Sequence, residues 1–239
     1  LLTLAPDFGM YDYYASSYEA QIVRYALDPL QAMDVDAFIR FGKQEKPQLV
    51  LFSNPNNPTG QFLNNEQIEK ICKAFDCPVV IDEAYAEFAP DTCLSLLDIC
   101  PNLYVTRTLS KAFGLAGARI GFLITSKANM EAIRGNHVPY SVNSLSMKAA
   151  EIVLAHATEF KPEIERIKKE RDAFLSKSYA SFSFSNSKAN FLLIQTPHVD
   201  KLLALFAQKG LSVRSYPQKN YCRVTIGTTQ ENQWIQEVL

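Results

Sequence analysis

Nothing in the 239 residues approaches the ~20 consecutive apolar residues that a membrane-spanning helix requires, so no span and no membrane partner is expected. The opening Leu1-Leu-Thr-Leu has neither the positive flank nor the long apolar core of a secretory signal. An excess of one charge is also missing: 24 basic against 25 acidic residues give a formal net charge of −1. Without a basic field, nucleic acid is not an expected partner either. Histidines are scarce, and His137, His156 and His198 show no ligand spacing. The five cysteines, Cys72, Cys77, Cys93, Cys100 and Cys222, are odd in number and irregularly spaced. They fit neither a disulfide framework nor a zinc site, whose ligands come in close pairs. No metal is expected, and the cysteines read as reduced, partly buried thiols of a cytoplasmic protein. His156, among apolar neighbours on a helical pattern, reads as structural. No internal repeat and no low-complexity tract interrupts the chain.

What is present is an alternation of β-rich apolar runs and helical patterns, the signature of an α/β protein with a largely parallel sheet flanked by helices. Gln48–Ser53 reads as a buried strand. Asn64 or Asn65 can cap a helix whose apolar positions Ile68, Ile71, Cys72 and Phe75 recur at helical spacing. Pro78–Ile81, Leu103–Thr106 and Ala118–Ile124 read as further strands. Ser141 to about Ser178 reads as a long, bent helical connector broken at Pro162. The remainder has the pattern of a small α+β unit: strands at Ala189–Gln195, Leu211–Ser215 and Tyr221–Ile226, and helices at Val199–Gln208 and Thr229–Val238. The expected division is a large domain over residues 1–160 and a smaller C-terminal α+β domain over 161–239.

In open parallel sheets, ligands bind beyond the carboxyl ends of the strands. Three polar clusters fall at such ends: Asn54-Pro-Asn-Asn-Pro-Thr-Gly60, Asp82-Glu-Ala-Tyr85 and Thr108-Leu-Ser-Lys111. Each has a bland reading. The first is at minimum a stiff turn-rich loop. Asp82 is at minimum a strand-end acid paired with a cation, because an unpaired carboxylate after a buried strand is costly. Lys111, taken alone, is an ordinary solvated lysine, although its small and apolar neighbours can lower an amine pKa toward the nucleophilic range. Arg119 follows a Gly114…Gly117 turn that can fold the chain back and return a planar fork suited to phosphate or carboxylate. Arg223 is an exposed strand arginine by default, with a domain-bridging anion contact as the alternative. On neighbouring strands, the three clusters would converge on one crevice for an anionic carbonyl compound.

Asn-Asn-Pro-Thr-Gly, Asp-Glu-Ala-Tyr and Thr108-Leu-Ser-Lys-Ala-Phe-Gly-Leu-Ala-Gly-Ala-Arg119, in that order and spacing, resemble the fold-type I pyridoxal-phosphate aminotransferases of class I/II. Within them the chain looks most like the histidinol-phosphate aminotransferases. Further matching blocks are Pro6-Asp-Phe-Gly-Met-Tyr11, Pro139-Tyr-Ser-Val-Asn-Ser144, Ala189-Asn-Phe191, Gly210-Leu-Ser-Val-Arg214 and Arg223-Val-Thr-Ile-Gly-Thr228. The resemblance implies that Lys111 holds pyridoxal 5'-phosphate as a Schiff base and then acts as general acid and base. It implies that Asp82 pairs with the pyridinium nitrogen, and that Tyr85 and Asn57 hydrogen-bond the ring's phenolic oxygen. Thr108, Ser110 and Arg119 would hold the cofactor phosphate. Phe8 would stack on the ring, where a tyrosine is usual in the histidinol-phosphate group. Arg223 would grip the anionic group of the substrate.

The implied activity is transamination between histidinol phosphate and 2-oxoglutarate in histidine biosynthesis, with small anionic amino and keto substrates and a homodimeric assembly. Two features depart from the pattern. Against the family, about 100 residues are expected ahead of Leu1, carrying a phosphate-binding glycine turn and a tyrosine donated across the dimer. Trp234 stands where some histidinol-phosphate enzymes have an arginine. Two other readings share the scaffold: a threonine-phosphate decarboxylase, and a non-catalytic aminotransferase-like regulatory module.

Overall fold

Leucine, valine, isoleucine and phenylalanine at alternate positions line one face of a six-stranded sheet. The computed structural model describes residues 1–136 and 138–239, so His137 lies outside the described residues. The strands are β1 (Leu2–Ala5), β2 (Val23–Ala26), β3 (Val50–Ser53), β4 (Val79–Asp82), β5 (Leu103–Thr108) and β6 (Gly121–Thr125). Their order is β2-β1-β3-β4-β5-β6. All pairs are parallel except β5–β6, which is antiparallel. The α/β reading with a mostly parallel sheet therefore holds, and β1 and β2 extend it beyond the strands legible in the sequence.

Three helices lie between these strands: α1 (Met10–Ser17), α2 (Val35–Glu45) and α3 (Asn65–Ala74). Leu2, Val50, Phe52, Val79, Ile81, Leu103 and Val105 pack on Phe38 of α2 and on Ile68 and Ile71 of α3. Gly42 lets α2 approach this core, since a Cβ there would meet the Phe75 ring at 2.5 Å and Leu2 at 2.7 Å. Asn64, not Asn65, caps α3: its side chain accepts from Gln67 N while Gln67 Oε1 accepts from Asn64 N. Asn65 instead donates to Asp91 and to Thr92 O. In β3, β4 and β5 the apolar residues of only one face are fully buried. Leu51, Val80 and Tyr104, pointing the other way, are half-buried, so the expectation of fully buried strands needs correcting.

The connector also differs from expectation. It is two helices, α5 (Ser144–Ala155) and α6 (Lys161–Leu175), preceded by the short α4 (Lys127–Ile133). A 3₁₀ turn at Ala157–Phe160 separates α5 from α6. Pro162 is not the break but sits in the first turn of α6, where its missing N–H has no helical partner to lose. His156 caps the end of α5, exposed, with Nδ1 2.8 Å from Glu159 Oε1, rather than packing among apolar neighbours. The run from Ala118 to Ile124 splits into a 3₁₀ turn at Ala116–Ala118 and the edge strand β6.

The C-terminal residues form a second, antiparallel sheet ordered β7-β8-β10-β9, from β7 (Ser183–Phe184), β8 (Phe191–Gln195), β9 (Arg214–Tyr216) and β10 (Tyr221–Thr225). β9 is shorter and later than the expected Leu211–Ser215. With α7 (Val199–Gln208) and α8 (Thr229–Val238) the sheet buries Leu192, Ile194, Phe206, Cys222, Val224 and Ile235 against Phe174 of α6.

Two joints tie the sheets together. Arg171, almost fully buried on α6, donates Nη1 to Phe88 O at 3.0 Å and to Ala189 O at 3.1 Å. Ser185 Oγ donates to Thr59 O, and Lys188 N donates to Gly60 O at 2.7 Å. All five cysteines are free. Among the described residues no helix is long and apolar enough to cross a membrane, and no group of three His, Cys, Asp or Glu side chains could hold a metal ion.

Candidate active site

Register brings the strand ends level: Ser53 lies beside Asp82, and Asp82 beside Thr106. The chain leaves β1, β3, β4 and β5 on the same side, and a cavity of about 310 Å³ opens there. Phe8 lines it from the end of β1 and Asn57 from the loop after β3. Asp82 and Tyr85 come from the end of β4, and Thr108, Ser110, Lys111 and Arg119 from the end of β5 and the turn beyond it. Every residue singled out in the sequence for the cofactor is thus brought to one wall or another of this cavity. Arg223 arrives separately, from β10 of the second sheet.

Asp82 has no cation within ion-pair distance among the described residues, so the strand-end salt bridge of the bland reading is absent. Its carboxylate accepts from neutral donors: Tyr11 OH at 2.8 Å, Thr106 Oγ1 at 3.1 Å and Ala84 N at 3.1 Å. Burial pushes its pKa up, and these three hydrogen bonds and the Lys111 ammonium pull it back. The result is a carboxyl group facing a cavity, oriented by hydrogen bonds and paired with no cation among the described residues.

Lys111 stands over the Tyr85 ring, its Nζ 5.4 Å from the centroid. Partial burial lowers its amine pKa, the Arg223 guanidinium lowers it further, Asp82 opposes, and Arg119 adds a smaller lowering. Such an amine gives up its proton more readily than a solvated lysine. Tyr85 is buried edge-on against Phe191, ring centroids 5.0 Å apart. Burial raises its hydroxyl pKa, and the positive charge of Arg223 works against that rise.

The turn after Lys111 folds back through Gly114, whose φ of 68° is left-handed, and Leu115 N donates to Leu109 O at 2.9 Å. Arg119, itself left-handed at φ 56°, is returned to the cavity and held by Nη1 donating to Ala116 O at 3.0 Å. Beside it Ser110 N donates to Thr108 Oγ1 at 3.1 Å, and the Thr108 hydroxyl donates to Ile120 O at 3.2 Å. Two hydroxyls and a guanidinium at one end of a cavity suit an anion with several oxygens.

Arg223 bridges the two sheets. Its Nη1 donates to Asn57 Oδ1, and its guanidinium lies 4.9 Å from the Phe191 ring centroid. Its Nε is buried with no hydrogen-bond partner, an unspent donor beside the cavity. Phe8 is 42% exposed, offering a ring face, and is braced edge-on by Tyr11 at 5.6 Å. No role for Asp7, Tyr11, Ser53 or Thr106 was legible in the sequence. Tyr11 and Asp7 lie in the block around Phe8, but their partners are on β3 and β4, and no local spacing reveals them.

The class I and II aminotransferase family model matches residues 1–238 of this chain. The chain is a class I/II aminotransferase family member. It is 35% identical over 237 residues to a histidinol-phosphate aminotransferase of Clostridium novyi, covering 97% of this chain and 67% of that relative. Among solved structures, a decarboxylase from Sulfurospirillum multivorans superposes with a TM-score of 0.87 at 24% identity, covering 99% of this chain and 73% of that one. A histidinol-phosphate aminotransferase from Sinorhizobium meliloti in complex with pyridoxal-5'-phosphate gives 0.85 at 23%, covering 100% and 69%. These similarities place the family member in fold type I, with a mostly parallel sheet and a smaller antiparallel one beside it.

Proposed function

We propose that this aminotransferase binds pyridoxal 5'-phosphate and exchanges an amino group between histidinol phosphate and 2-oxoglutarate. The observation that carries this reading is Asp82, half-buried at a strand end, accepting hydrogen bonds from neutral donors only, and lining the same cavity as Lys111. A half-buried carboxylate with no cation beside it gains from a positive ligand, and a protonated pyridine ring is one. The unspent Nε of Arg223 and the hydroxyls beside Arg119 fit anionic groups at the cavity's other edges. The residues present therefore fit the group. When bound, the cofactor supplies an electron sink for the substrate's α-carbon.

Around it the chain's own residues divide the work. Asp82 holds the ring nitrogen's proton. Lys111, its amine pKa lowered, anchors the cofactor and moves the α-proton. Asn57 and Tyr85 orient the ring oxygen, Phe8 covers the ring face, and Thr108, Ser110 and Arg119 hold the phosphate. Arg223 receives the substrate's anionic group, carried there on the second sheet. Residues 1–160 serve as the cofactor-binding domain and 161–239 as the smaller domain, in a homodimer working in the cytoplasm.

Borohydride reduction of the loaded protein is expected to fix a pyridoxyl label on Lys111, located by peptide mass mapping. Lys111→Ala should lose the label and all transamination of histidinol phosphate; a covalent label surviving that change would sink the reading. Likeness in fold to a decarboxylase motivates one control. Release of carbon dioxide from threonine phosphate without keto-acid consumption would assign that reaction instead.

A further inference from the structure

Asp7 joins parts of the site that the sequence placed on separate elements. One of its carboxylate oxygens, Oδ1, accepts from Phe8 N at 2.8 Å and from the Ser53 hydroxyl; the other, Oδ2, accepts from Ser53 N at 3.2 Å. Ser53 Oγ in turn accepts from Asn57 N at 2.9 Å. Phe8 and Asn57, two residues that line the cavity, thus hang from one carboxylate. Ser53 is also the register partner of Asp82, so this carboxylate stands beside the one already described. No cation pairs with Asp7 among the described residues.

We propose that Asp7 is a positioning residue of the cofactor site, tying Phe8 to Asn57 through Ser53 and setting a second carboxylate beside Asp82 for a cationic ring. The inference rests on the pyridoxal-phosphate reading above. Two nearby carboxylates repel, and a cation between or beside them relieves both, so their mutual repulsion favours binding of a cation. Burial pushes the Asp7 carboxyl up to about 7, its hydrogen bonds with Ser53 and Phe8 oppose, and Asp82 adds a further rise. The titratable groups facing it are Asp82 from β4 and Tyr11 from α1. Asp7 also lines a second cavity, together with Asp12, Arg24 and Lys219.

The charge has opposite consequences for stability and for binding. The folded protein holds the Asp7 proton more tightly than the unfolded chain does. Stability therefore falls as pH rises from the ordinary carboxyl range through about 7, and the loss is complete above it. Asp7→Asn removes that cost. It also removes the second negative charge from the ring's surroundings.

The test is equilibrium binding of pyridoxal phosphate to wild type and Asp7→Asn at pH 8 and pH 6, with thermal melts of both proteins without cofactor. The variant is expected to bind about 10-fold more weakly at pH 8 and within about 2-fold of wild type at pH 6, while melting higher than wild type at pH 8. Equal affinities at pH 8 would overturn the proposal. So would a pH-independent loss of affinity with a lower melting temperature, which is what a merely structural residue gives. Ser53→Ala keeps both carboxylates but cuts the tie to Asn57, and should weaken binding about 3-fold at both pH values. No effect of Ser53→Ala would overturn the relay even if Asp7→Asn failed to fold. A wild-type protein that binds no pyridoxal phosphate would remove the functional reading and this inference together, an outcome distinct from equal binding by the two proteins.

Discussion

Asp82 and Tyr11 show how one hydroxyl tunes a site. Asp82 must be ionised to hold a cationic ring, yet burial favours its neutral form. The Tyr11 hydroxyl at 2.8 Å stabilises the charged form and lowers the pKa from where burial alone would put it. Tyr11→Phe removes that donor with little change in shape, so the Asp82 pKa moves up. On acidification, affinity for pyridoxal phosphate should then begin to fall at a higher pH than in wild type, with a loss of about 3- to 10-fold near neutrality. Binding titrations across pH 5–8 check this, and superimposable profiles would refute it. Lys111 was legible because a long motif surrounds it. Tyr11 was not, since its meaning lies in a partner 71 positions away, at the end of β4.

At the scale of elements, capping and sheet register do most of the positioning. The Asn64 box starts α3, which covers the core face of the strands that carry Ser53 and Asp82. Asn64→Ala strips one cap and should cost about 1 kcal/mol, read as a lower denaturant midpoint with unchanged slope. The capping choice between Asn64 and Asn65 was open in the sequence because both positions are asparagine, a good capping residue. Tertiary contact decided it by giving Asn65 other acceptors near Asp91. Pro162 misled for a related reason: proline ends a helix interior but suits a first turn, and only the position of the preceding 3₁₀ turn tells which applies. β1 and β2 escaped notice because Thr3 and Arg24 interrupt them, whereas the equally short β3 and β4 sit in nearly continuous apolar runs.

For the whole molecule, the decisive feature is the joint between the two sheets. Gly60 lies at φ 72°, and a Cβ there would come within 2.1 Å of Ser187 Oγ and 2.8 Å of Ser187 Cα. Its carbonyl accepts from Lys188 N, and its neighbour Thr59 accepts from Ser185 Oγ. The loop that carries Asn57 is therefore seated on the segment joining β7 to β8, and Arg223 of β10 reaches Asn57 from the same sheet. Gly60→Ala adds left-handed strain and a backbone clash, and should cost more than about 2 kcal/mol in chemical denaturation. By prising Arg223 from Asn57 it should also raise KM for histidinol phosphate more than it lowers kcat. A stable variant with unchanged KM would show that the joint does not set substrate binding.

By itself the sequence determined the alternating α/β plan, the three polar clusters at strand ends, and the lysine, carboxylate and arginine that the family motifs mark. These are local properties: apolar periodicity, turn chemistry and contiguous motifs survive in a one-dimensional reading. Only the tertiary structure decided that Asp82 is held by neutral donors, that Asp7 binds Phe8 to Ser53 and Asn57, and that Arg223 crosses between sheets. Each of those depends on which strand ends stand side by side. Strand order and register are set by the packing of the entire core, and no stretch of sequence contains them.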